Sequence, residues 1–89
     1  MKTIQPWFRE VVSNVSPEIK EEIRLTMGVS DKLDALMHEK GISKVELARA
    51  LDKRPSEITR WLSGQHNFTL RTIAILSTFF GKSLIEVSE

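Results

Sequence analysis

Apolar residues along this chain recur three and four positions apart, and no stretch alternates with the period of two that a strand requires. The clearest stripes are adjacent. Val45, Leu47, Ala48 and Leu51 give one short helix an apolar face, and Ile58, Trp61 and Leu62 give the next helix another. Asp52-Lys53-Arg54 forms a tight turn between them. Punctuation agrees with the stripes. Ser43 and Glu46 have the S-x-x-E spacing of a capping box, each side chain satisfying a free backbone N–H. Pro55 suits a first helical position, where its missing N–H costs nothing, and Gly64 supplies a left-handed stop.

The same period extends in both directions. Behind the start signal Ser16-Pro17-Glu18, the residues Ile19, Ile23, Met27, Leu33, Leu36 and Met37 share roughly one face. Gly28 interrupts them and Ser30-Asp31 offers a second cap, so either one long helix or two are possible. One long or bent helix is favoured: an internal glycine costs only about 1 kcal/mol, and the apolar phase is kept up to Gly41. Thr69 caps a further helix to about Phe80, its buried face formed by Leu70, Ile73, Ala74, Leu76 and Phe80. Gly81 closes it, and Ser83-x-x-Glu86 opens a last turn with Leu84, Ile85 and Val87. Near the start, Trp7, Phe8, Val11 and Val12 form a loose helical stripe that either caps the core or docks on a partner. The prediction is one all-α domain of five to six helices. Residues 30–89 are expected to form the functional unit and residues 1–29 a helical extension for dimer or partner contact.

Arg54, Ser56, Glu57, Thr59 and Arg60 are left over on the second motif helix. Small polar groups and arginines near a helix N-terminus are what a reader of the DNA major groove needs. Arg60 can donate two bonds to guanine O6 and N7, a contact worth about 1–3 kcal/mol of discrimination, while Ser56 and Thr59 suit either base type. Arg54 stands where Ser, Thr, Asp or Asn would cap the helix about 1 kcal/mol better, which suggests a use outside the fold. Lys44 and Lys53, with backbone N–H groups, are expected to hold phosphates and set register. Gln65, His66 and Asn67 follow the recognition helix and are candidates for backbone contact. Glu57 is assigned to the free helix end, and Trp61, Met27 and Met37 to the core.

Charge changes this picture little. The net charge is +1, and that surplus lies in residues 31–67. Bulk charge describes a mixed solvated surface; the placement of Lys44, Lys53, Arg54 and Arg60 has to make the case for DNA. With no cysteine there is no disulfide framework and no thiolate zinc site. No apolar run reaches the length of a membrane span and no secretory signal is visible, so a cytoplasmic protein is expected. Catalysis is disfavoured: the only histidines, His38 and His66, lie far apart, and no glycine loop cradles phosphate. No catalytic, cofactor or metal site is assigned.

From Asp31 to Val87 the chain resembles the lambda-repressor/Cro-type (XRE) helix-turn-helix domain, without gaps through ISKVELARALDKRPSEITRWLSGQHNFTLRTIAILSTFFGKSLIEV. Ser43, Glu46, Leu47, Ala48, Leu51, Ile58, Trp61, Gly64, Thr69, Leu70 and Thr72 fit that family's pattern. Within it, KRPSEITRWLSGQHNFTLRTIA preceded by SPEIKEEIRLTMGVSDKL looks like antitoxins of the HigA type, which pair with a RelE-like ribonuclease toxin. The resemblance implies that Lys44 touches a phosphate and that Arg54, Pro55, Ser56, Thr59 and Arg60 face the groove. Two departures stand out: Asp52 replaces the usual turn glycine, and Pro55 sits where a base-reading polar residue is common. Two functions follow as expectations. One is a homodimeric repressor on palindromic double-stranded DNA, an autoregulating HigA-like antitoxin or else a stand-alone or phage-type repressor; the other is an antitoxin module that mainly neutralises a RelE-like toxin protein.

Overall fold

A computed structural model describes residues 15–87. Four helices run through them: α1 (Pro17–Lys40), α2 (Lys44–Leu51), α3 (Pro55–Trp61) and α4 (Leu70–Phe80), with no strand among the described residues. The Trp7, Phe8, Val11 and Val12 stripe lies outside these residues. The last turn expected at Ser83 is not helical. Leu84 is drawn into the core, its N–H donating to Ser77 Oγ at 3.2 Å, and the Ser83 hydroxyl bonds Ile85 O instead of accepting from Glu86. Burial of one leucine outweighs a surface cap.

α1 is a single helix of 24 residues that passes through Gly28, as its unbroken apolar phase predicts. Pro17 occupies the first turn with Glu18 against the helix dipole, although Ser16 makes no side-chain cap bond. Gly41 ends the helix at φ +64, its N–H donating to His38 O at 3.1 Å and that of Ile42 to Met37 O at 3.0 Å. Only the second half of α1 is buried. Val29, Leu33, Leu36 and Met37 enter the core, whereas Ile19, Ile23, Leu25 and Met27 of the first half remain about half exposed. Met27 is therefore not a core residue, and periodicity could not reveal where along α1 the core begins.

The core is closed by Leu47 and Ala48 from α2, Ile58 and Trp61 from α3, Leu76 and Phe80 from α4, and Leu84. Val45, Leu70 and Ala74 face outward, contrary to the stripes read from sequence. At about 100° per residue, Val45 lies roughly 200° round the helix from Leu47. Leu70 and Ala74 lie about 60–160° from Ile73, Leu76 and Phe80. α4 is thus apolar on two sides and buries one.

Candidate nucleic-acid interface

α2 and α3 are joined by a turn in a backbone region that few residues other than glycine adopt readily. Asp52 takes φ +56, the single non-glycine residue at positive φ among those described, and asparagine-like side chains tolerate that region best. Lys53 N–H then donates to Ala48 O at 2.8 Å and closes α2. Both start signals hold, though unequally. Ser43 Oγ accepts from Glu46 N–H at 3.1 Å, and Glu46 Oε1 accepts from Ser43 N–H at 3.0 Å. At the head of α3, Glu57 Oε2 accepts from Arg54 N–H at 3.2 Å, the role expected of Glu57. An arginine side chain has no acceptor with which to complete the box.

This local geometry divides α3 into two faces. Ile58 and Trp61 are buried, while Ser56, Thr59 and Arg60 lie within about 100° of each other on the opposite side and are exposed. Arg54 and Pro55 continue that exposed side at the helix start, and Lys53 and Lys44 are exposed in the turn and at the head of α2. The expected contact residues from 53 to 60 therefore form one continuous run. Gln65 is exposed beyond it. His66 is different: half-buried, it meets the Phe68 ring edge-on at 4.9 Å between centroids. Burial lowers its imidazole pKa below the ordinary value and the positive charge of Arg60 adds to that lowering, which sets His66 near the arginine. Asn67 is exposed and borders a crevice of about 180 Å³ shared with Leu25, Phe68 and Ile73.

Sequence reading missed the residue that holds this loop. Ser30, taken as a possible cap, lies inside α1 and is 2% exposed. Its hydroxyl donates to Trp61 O at 2.6 Å and accepts from Gly64 N–H at 3.1 Å. One buried serine thus satisfies the carbonyl at the end of α3 and the amide of the left-handed Gly64, at φ +82. A signal was present: Ser30 shares the i, i+3, i+7 phase of Leu33 and Met37, which is a core position and not a cap. The loop is packed as well, with Phe68 tilted against Trp61 at 6.4 Å.

A buried helix presenting an exposed polar face, held from behind by a second helix, is the arrangement that inserts into a DNA groove. A family model described as helix-turn-helix matches residues 33–87, more than half of the chain. The chain belongs to this helix-turn-helix family, of the lambda-repressor/Cro type. This is a DNA-binding domain family, not an enzyme family, and it supports a DNA-binding regulator. The match begins at Leu33, so the first half of α1 lies outside the shared helix-turn-helix unit. No curated protein and no solved structure matches the chain. No helix among the described residues is long and apolar enough to cross a membrane.

Proposed function

We propose that this protein is a sequence-specific repressor that binds a palindromic operator as a homodimer, acting in the cytoplasm. The observation that carries the reading is the two-sided α3: Ile58 and Trp61 anchored in the core, Ser56, Thr59 and Arg60 free on the other side. Arg60 reads guanine, Ser56 and Thr59 read neighbouring bases, and Pro55 sits against the groove edge without reading. Lys44, Lys53 and Arg54 bind phosphates and set the register, with Gln65 and His66 on the adjoining backbone. In the free protein, burial and the neighbouring positive charge of Arg60 lower the His66 pKa. Asn67, exposed at the edge of the crevice beside α1, lies on the same adjoining backbone.

Selection of bound duplexes from a random pool tests the reading. The recovered sequence is expected to be two half-sites about one helical turn, roughly 34 Å, apart. Arg60→Ala should relax preference at one base step, by about 1–3 kcal/mol, while Lys44→Ala should weaken all sequences alike and flatten the salt slope by about one. Unchanged base preference in Arg60→Ala would remove α3 from the role of reader.

A second role is favoured by the first half of α1, where Ile19, Ile23, Leu25 and Met27 stay half exposed outside the family match. In this reading residues 1–29 form an extension that occupies a RelE-like toxin, and the protein is a HigA-type antitoxin that also represses its own operon. The extension and the DNA-binding part are then joined within one helix. Co-expression with the product of the neighbouring reading frame tests it. Ile19→Asp with Ile23→Asp should release a small basic partner while DNA binding persists. If the partner is retained, α1 is not its docking site.

A further inference from the structure

α4 divides as cleanly as α3, but its free side is apolar. Ile73, Leu76 and Phe80 turn inward, while Leu70, Arg71, Ala74, Ile75, Thr78 and Phe79 are all exposed on the opposite half. Leu70 is 75% exposed, and Ile75 and Phe79 are each 42% exposed. These six side chains line an open groove of about 780 Å³ that reaches Leu51, three residues before Arg54. Four of the six are apolar, and a helix with apolar residues on two opposite sides is ordinarily covered on both.

We infer that a second copy of this chain covers this face, its α4 antiparallel to the first about a two-fold axis between Ala74 and Ile75. The inference rests on the proposed homodimer and names its surface. Two features choose this occupant and this direction. The axis pairs Leu70 with the partner's Phe79 and Ala74 with the partner's Ile75, so large meets large at the ends and small meets large in the middle. It also sets Arg71 opposite Thr78, whereas parallel helices would set Arg71 against Arg71 and repel. Phe80 and Leu84 are spent on the core at 4% and 6% exposure, whereas Phe79 lies in this face.

The chain has no cysteine, which makes single-cysteine variants of the full chain clean probes. Ala74→Cys and Ile75→Cys sit beside the axis and should oxidise to disulfide-linked dimers. Leu70→Cys is expected to stay monomeric, because nine residues of offset place its partner about 13 Å away along the axis, beyond disulfide reach. Val45→Cys, exposed on α2, is the control for random collision. In sedimentation, the unmodified chain should pass from monomer to dimer as concentration rises, and Ile75→Glu should remain monomeric with unchanged helicity. On the selected duplex, Ile75→Glu should bind the palindrome at least about tenfold more weakly, yet an isolated half-site as well as the parent chain does. Equal cross-linking at residues 45 and 74, or dimerisation of Ile75→Glu like the parent, would overturn the proposal. A parent chain that stays monomeric, free and on the palindrome, would do the same and leave the face to a different protein. A dimer that cross-links through residue 74 but binds no duplex would instead sink the operator reading and leave this surface standing.

Discussion

α2 opens on a closed capping box, Ser43 and Glu46 each satisfying the other's backbone, and closes on Asp52 in the left-handed region with Lys53 N–H returned to Ala48 O. α3 follows within three residues and has neither device in full. It opens on Arg54, whose side chain caps nothing, and ends at Leu62 in a right-handed conformation. What α3 lacks locally is supplied from far away in the chain. Ile58 and Trp61 are buried, and the hydroxyl of Ser30 takes the Trp61 carbonyl across 31 positions. The comparison teaches where local sequence is free to serve another purpose. Helices of eight and seven residues are too short to stand alone. α2 begins and ends on local signals, whereas α3 is held from behind, which frees its first turn for a residue that is poor for folding.

The strongest way to break this contrast is to remove the anchor of α3. Ile58→Ala should cost about 2–5 kcal/mol in urea unfolding, since Ile58 is fully buried in the core. Ser30→Ala should cost about 1–3 kcal/mol by leaving the Trp61 carbonyl and the Gly64 amide without their buried partner. If it costs nothing, α3 does not depend on this tertiary bond. Ser43→Ala, which removes a local cap, should cost about 1 kcal/mol without shifting base preference.

Arg54→Ser sharpens the comparison by changing sign. It should stabilise the fold by up to about 1 kcal/mol, because serine completes the cap that Glu57 already half-forms. Duplex affinity should fall in the same variant. Stability and binding moving in opposite directions would show that Arg54 serves DNA; both falling would show that it serves the fold. The smallest effect concerns pH. Hydrogen bonds from the Ser43 backbone and side chain hold the Glu46 carboxyl below its ordinary pKa. Its contribution is therefore present above the ordinary carboxylate value and is lost as pH falls through the lowered one. Acid titration of stability should be shallower in Glu46→Gln, and an identical slope would assign the acid sensitivity elsewhere.

The sequence by itself determined what depends on neighbours within one turn. The box at Ser43, Pro55 at the start of α3, the Thr69 cap, the stops at Gly41 and Gly81, and the inward Trp61 were all legible. So was the exposed run of Lys53, Arg54, Pro55, Ser56, Thr59 and Arg60, because helical spacing fixes which side chains oppose Ile58. Only the tertiary structure decided the rest. Periodicity shows that a stripe exists but not what covers it, so the open stripes of α1 and α4 read like core. A buried serine and a capping serine are the same letter; Ser30 became a tether because α3 ends beside it, a contact that folding alone creates.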